Sequence, residues 1–223
     1  MTGSSSPGAP ALLVSDVDST FLTQEVIELV AEHAGTRAEV QRVTDRAMAG
    51  DLDFAASLHE RVATLAGLDA AVLAEVREAL APTDGALELI ARCREAGVVT
   101  ALVSGGFHEV IDPLATRIGI DHVRANRFEI EDGHLTGRVL GPVVDAAAKE
   151  TALREYAREH GVPLERTVAV GDGANDIRLL QAAGTGIAFR AKPALREVAD
   201  VRIDGPGLLP VWDAIAPLLP ALA

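Results

Sequence analysis

Asp16 and Asp18 stand two residues apart, just beyond the apolar run Ala11-Leu12-Leu13-Val14. If that run is a strand, alternate side chains share a face and both carboxylates can enter one cleft. An ionised carboxylate attacks phosphorus or carbon without first losing a proton. A second carboxyl beside it can carry protons for a leaving group and for water. Taken alone, Asp-x-Asp also describes a solvated turn, so its distant partners decide its weight. Ser104-Gly105-Gly106 follows the apolar run Val98 to Val103; a hydroxyl with glycine amides suits phosphate oxygens, but by itself this motif reads equally as an ordinary tight turn. Gly171-Asp172-Gly173-Ala174-Asn175-Asp176 follows Thr167-Val168-Ala169-Val170 and adds carboxylates suited to a hard cation. Lys149 heads a helical pattern; it is one of two lysines in a chain whose other basic side chains are arginines. Retaining lysine there suggests a need for a compact point charge.

This set, in this order, resembles the haloacid dehalogenase superfamily. Glu25, Met48, Phe54 and Arg61, between the first two motifs, make it similar to the phosphoserine phosphatases of that superfamily. The resemblance runs from about Leu12 to about Asp204. It implies an α/β fold, a Rossmann-like parallel sheet with helices on both faces, plus a small inserted helical cap. It implies that Asp16 is the nucleophile that becomes an aspartyl-phosphate, and that Asp18 is the general acid and base. Mg²⁺ would be held by Asp16, the backbone carbonyl of Asp18 and Asp172, with Asp176 behind them. Ser104, the Gly105 amide, Lys149 and Asn175 would serve the phosphate. Glu25 would receive a substrate ammonium, Arg61 would pair with its carboxylate, and Met48 and Phe54 would cover the site. The implied substrate is O-phospho-L-serine, hydrolysed to L-serine and phosphate. Transfer of the phosphoryl group to an alcohol such as homoserine, hydrolysis of another small phosphomonoester, and a catalytically silent phospho-ligand module stay open. An added N-terminal regulatory domain is not expected.

The chain has 223 residues, 48% of them hydrophobic, enough for one sizeable core and a small second module. A net charge of −13 argues against nucleic acid or an anionic membrane as partner. It also means that a phosphate site must carry its own local positive charge. The single cysteine, Cys93, cannot form an internal disulfide and points to a reducing, cytoplasmic setting. No apolar stretch is long enough to span a membrane. The partner expected is therefore a small molecule, and a homodimer stays open.

Residues 1–10 are rich in Gly, Ser and Pro and are expected to form a disordered tail. From Thr23 to Leu80 apolar residues recur at helical spacing, until Pro82 stops the pattern. This block interrupts an otherwise alternating β/α chain. The expected division is a core of 11–22 and 82–223 with a cap of 23–81. Strands are expected at Val98 to Ser104, Thr167 to Val170, Gly186 to Phe189 and Val201 to Ile203, with helices between them. Asp132-Gly133 is expected to turn a hairpin between Phe128–Glu131 and Leu135–Val139. Ligands of such sheets bind beyond the C-terminal strand ends, where all three strand-linked motifs fall. Ser19 and Thr20 are expected to do no more than shape the turn. His108 is assigned to the surface or to a place behind the site residues, and Lys192 to a structural or peripheral place. The six histidines show no metal-ligand spacing along the chain.

Overall fold

The computed structural model describes residues 10–48 and 52–219. All of the tail expected over 1–10 except Pro10 lies outside them. In chain order, β1 (Leu12–Ser15) leads to α1 (Val26–Ala34), α2 (Arg37–Met48), α3 (Phe54–Ala63), α4 (Val72–Glu78) and α5 (Ala86–Glu95). There follow β2 (Val99–Phe107), α6 (His108–Ile118), β3 (His122–Asn126), β4 (Phe128–Glu131), β5 (His134–Val139) and α7 (Ala146–Glu159). The last elements are β6 (Thr167–Gly171), α8 (Ile177–Ala182), β7 (Thr185–Phe189), α9 (Pro193–Val198), β8 (Val201–Ile203) and α10 (Trp212–Ile215).

Six strands form one parallel sheet in the order β3-β2-β1-β6-β7-β8. The central strands are apolar on both faces because both are covered. Leu12 and Val14 of β1 pack with Ala152, Leu153 and Tyr156 of α7 and Leu179 of α8. Leu13, between them, points into the opposite layer with Leu89 of α5, Val110 and Ile111 of α6 and Ile215 of α10. That second layer runs on into the helical block through Val30, Val40, Leu58, Val62 and Val76.

The chain leaves the sheet after β1 and returns before α5 along two adjacent connections. Thr23 N donates to Ala81 O at 3.0 Å and Thr83 N to Phe21 O at 2.8 Å. The Gln24 side chain bridges them, donating to Ala79 O and accepting from Ala81 N. The expected hairpin forms, and Asp132 (φ 49°) and Gly133 (φ 79°) both adopt the left-handed backbone that a tight two-residue turn requires. It does not stand apart from the helical block. Gly67 N donates to Leu135 O, Leu135 N to Leu68 O and Ala70 N to Gly133 O.

Two expectations are corrected. The strand expected to end at Ser104 continues through Gly105 and Gly106 to Phe107, with a register shift between Val103 and Phe107. Ser-Gly-Gly is therefore the outgoing end of a strand and not a tight turn. Strand β3 was not expected, because His122-Val123-Arg124 lacks an apolar run and is only half buried. Pro113 sits inside α6, where it cannot donate to the Glu109 carbonyl; Arg77 Nε takes that acceptor at 2.8 Å.

Candidate active site

The chain leaving β1 folds into one wide turn over Val17–Phe21, closed by Leu22 N to Val17 O at 2.8 Å. Ser19 takes a left-handed conformation within it (φ 57°). The turn holds Asp16 and Asp18 at the C-terminal end of the central strand, where the sequence pattern places them. Asp16 is almost wholly buried. Its Oδ1 accepts from Val17 N at 2.7 Å and lies 2.7 Å from Lys149 Nζ. These two donors fix the rotation of the carboxylate. Burial, with the charges of Asp176, Asp172 and Asp18 against that of Lys149, pushes the Asp16 carboxyl well above its ordinary range.

Lys149 occupies the first turn of α7, whose N-cap Asp145 accepts from Ala148 N at 2.8 Å. It is fully buried and also reaches Asp176 Oδ1 at 2.7 Å. Burial alone would lower its pKa, but the charges and hydrogen bonds of Asp16 and Asp176 outweigh that, and the ammonium is retained. Asp176 Oδ2 accepts from the amides of Asp172 and Gly173, at 3.3 and 3.2 Å. Asp176 thus ties the loop after β6 to α7. Gly171 must be glycine here, because a Cβ would lie 2.5 Å from the Asp176 carboxyl carbon.

Asp18 is held from two sides. Its Oδ1 accepts from Val26 N at 2.6 Å and its Oδ2 from Ser104 Oγ at 2.8 Å. Ser104 Oγ in turn accepts from Gly106 N at 2.7 Å. Ser104 is fully buried, so its hydroxyl is turned to Asp18 and not to the cavity. Gly105 and Gly106 serve close approach. A Cβ at Gly105 would stand 2.8 Å from the Phe54 ring, and one at Gly106 would stand 3.0 Å from Asp18 Oδ2.

A cavity of about 940 Å³ opens above this floor. Asp16, Asp18, Asp172, Gly105 and Asn175 line it from the sheet side, and Glu25, Phe54 and Arg61 from the helices. Glu25 precedes α1 and accepts from Ser19 Oγ at 2.6 Å. Burial and the nearby Asp18 push its carboxyl up to about 7, against the Ser19 hydrogen bond. Burial lowers the pKa of the Arg61 guanidinium, which the charges of Glu25 and Asp18 oppose. Phe54, the first residue of α3, lays its ring against Gly105. Met48 ends α2, and its side chain lies outside the described residues.

Carboxylate oxygens of Asp16, Asp172 and Asp176 lie within 4.8 Å of one another. Burial and Asp176 push Asp172 up to about 6. These acids share one buried ammonium, so the cluster retains excess negative charge. A buried, anionic, all-oxygen donor set fits a hard divalent cation. Asp176, with Oδ1 on Lys149 and Oδ2 on two amides, stands behind Asp16 and Asp172 and braces them.

Several contributors were not foreseen. Ser19 and Thr20, given no side-chain work, hold Glu25 and Asp172 respectively; Thr20 Oγ1 donates to Asp172 Oδ1 at 3.3 Å. Buried Asn126 donates to Gly105 O and accepts from Val144 N, both at 2.8 Å, so it joins the serine-glycine strand end to the segment before α7. Lys192, placed at the periphery, lines the cavity with Arg178. His108 is not at the site; its ring bonds Asp112 and accepts from Ala125 N.

Residues 13–181 match the haloacid dehalogenase-like hydrolase family. The chain belongs to this family. Within it, the chain is 55% identical over 197 residues to phosphoserine phosphatase SerB2 of Mycobacterium tuberculosis, covering 88% of this chain and 48% of that protein. It therefore spans about half the length of that relative. It is 48% identical over 204 residues to a phosphoserine phosphatase of Streptococcus thermophilus, covering 92% of this chain and 95% of that one. A solved structure described as a phospho-aspartyl intermediate analogue of phosphoserine phosphatase superposes with a TM-score of 0.86 at 41% identity, covering 92% of this chain and 98% of that one.

Proposed function

We propose that the chain is a Mg²⁺-dependent phosphoserine phosphatase that hydrolyses O-phospho-L-serine to L-serine and phosphate. The observation that carries this reading is that Glu25 and Arg61, from the helical block, both line the cavity whose floor holds Asp16, Asp18 and Asp172. A carboxylate and a guanidinium opposite a phosphate site are complementary to an amino acid's ammonium and carboxylate. A sugar phosphate would leave both charges buried and unpaired. The relatives above, which carry that activity by name, support the same substrate.

In this reading Asp16 attacks phosphorus, the Asp16 Oδ–P bond forms and the P–Oγ bond of serine breaks. Asp18 delivers a proton to the departing Oγ. Water then attacks the aspartyl-phosphate, Asp18 takes its proton, and Asp16 is released with inorganic phosphate. Ser104 and Val26 N orient Asp18 for both transfers. Lys149 balances the charge of Asp16 and holds it against rotation. The Gly105 amide and Asn175 meet the phosphate oxygens. Asp16, Asp172 and the backbone carbonyl of Asp18 would hold Mg²⁺, which would supply charge neutralisation for the phosphate. We assign residues 23–81 to a cap that closes over the amino-acid end of the substrate, with Met48 and Phe54 above the reacting atoms. The chain has no helix among its described residues long and apolar enough to cross a membrane, and Cys93 is buried and unpaired. Both features suit a cytoplasmic enzyme.

Phosphate release from a panel of L-phosphoserine, phosphothreonine, sugar phosphates and nitrophenyl phosphate tests the assignment. L-phosphoserine should have the highest kcat/KM. Equal rates across the panel would leave a phosphatase without amino-acid selectivity and would overturn it. Serine release in excess of free phosphate when homoserine is added would favour phosphotransfer.

A further inference from the structure

His122 and His160 are 38 residues apart in sequence but meet where β3 begins and α7 ends. Chain spacing gave no sign of this, since each histidine stands alone in its own segment. Their Nε2 atoms face each other at 2.6 Å. One ring nitrogen of each histidine and a carboxylate oxygen of Glu159 lie within 4.8 Å of one another. The His122 ring is stacked on Tyr156, with centroids 4.3 Å apart and 17° between planes. Tyr156 is itself covered by the Arg124 guanidinium at 5.7 Å. One imidazole is therefore oriented before any ligand arrives. Burial, with the neighbouring His160, lowers the His122 pKa against the pull of Glu159 and Asp121, which favours the neutral ring. Both histidines are half-buried and Glu159 is exposed, so an ion can enter from solvent.

We propose that His122, His160 and Glu159 form a binding site for a borderline transition-metal dication such as Zn²⁺ or Ni²⁺, separate from the carboxylate cluster beneath the cavity. Two imidazole nitrogens and one carboxylate oxygen form a donor set that such ions favour, with water completing the shell. Mg²⁺ prefers an all-oxygen set and does not compete for it. Metal–nitrogen bonds of about 2.0–2.1 Å at a tetrahedral angle put the two nitrogens about 3.3 Å apart. The rings must separate by several tenths of an ångström, which the half-exposed His160 allows. The ion displaces the shared proton and clips the edge strand β3 to the end of α7. Binding to the folded state alone raises its stability.

The test titrates Zn²⁺ into the Mg²⁺-saturated protein, followed by calorimetry and by thermal melts. A single saturable site and a Zn²⁺-dependent rise in melting temperature are expected. His122→Gln and His160→Gln should each weaken binding by about ten-fold or more and abolish the rise. Co²⁺ should give the visible absorption of a four-coordinate site in the parent protein and not in His160→Gln. Melts of the variants without added Zn²⁺ check that they fold, and Glu159→Gln, an exposed and conservative change, should also weaken the site. Absence of saturable Zn²⁺ binding would overturn the proposal. So would binding undiminished in both histidine variants, which would locate the ion elsewhere.

Discussion

Replacing Arg61 by alanine separates substrate recognition from phosphate chemistry. Arg61 lies half-buried on α3, and its Nε donates to Ser57 O at 3.3 Å, which aims the remaining guanidinium donors toward the cavity. A charge-assisted contact is worth about 1.5–3 kcal/mol, and the partial burial of this guanidinium favours the upper half of that range. At about 1.4 kcal/mol per decade, kcat/KM for phosphoserine should fall roughly 40- to 140-fold. Nitrophenyl phosphate has no carboxylate to lose, and Asp16, Asp18 and Lys149 are untouched, so its rate should stay within about two-fold. Arg61→Lys should recover only part of the loss, because an ammonium cannot reproduce the two-pronged contact. The assay is steady-state phosphate release for both substrates, with circular dichroism confirming the fold. An equal fall for both substrates would refute the reasoning and make Arg61 a support of the helical block.

Lys149→Met leaves Asp16 and Asp176 buried without their shared cation, a loss of about 3–5 kcal/mol. In EDTA the melting temperature should drop by roughly 6–20 °C, and adding Asp176→Asn should restore part of it; an unchanged melt would show that the triad contributes nothing to stability. Glu25 is pushed up to about 7 and Asp172 up to about 6, so both hold protons in the folded protein that the unfolded chain has released. Metal-free stability should therefore fall as pH rises from about 5 to 7, and saturating Mg²⁺, which needs ionised carboxylates, should flatten or reverse that slope in thermal melts. Activity should vanish in EDTA and return with Mg²⁺. Ca²⁺, with its looser and larger shell, should bind and support little turnover, and full activity with Ca²⁺ would contradict this.

The three strand-end motifs were legible because each follows a short apolar run, and a parallel sheet aligns such runs at one edge. The Asp132-Gly133 turn was legible because few dipeptides accept two left-handed residues in succession. What stayed hidden depends on contacts between segments far apart in the chain. Thr20 reaches Asp172 across 152 residues, and Asn126 ties Gly105 to Val144. A hydroxyl or an amide carries no local sign of such a partner. The turn around Ser19 hid a second function, because a serine in a left-handed conformation reads as turn chemistry while its hydroxyl serves Glu25. Strand β3 escaped because an edge strand needs no continuous apolar run, and the meeting of His122 with His160 depends on that strand's register beside α7.

The covalent step on Asp16 is the centre of the account. The protein should be mixed with phosphoserine and Mg²⁺, quenched in acid within the first turnover, digested and examined by mass spectrometry. A single phosphoryl group should appear on the peptide carrying Asp16, be removed by hydroxylamine as an acyl phosphate is, and be absent from a folded Asp16→Asn variant that has lost turnover. A phosphoryl group on another residue, or near-parental phosphate release from Asp16→Asn, would contradict it.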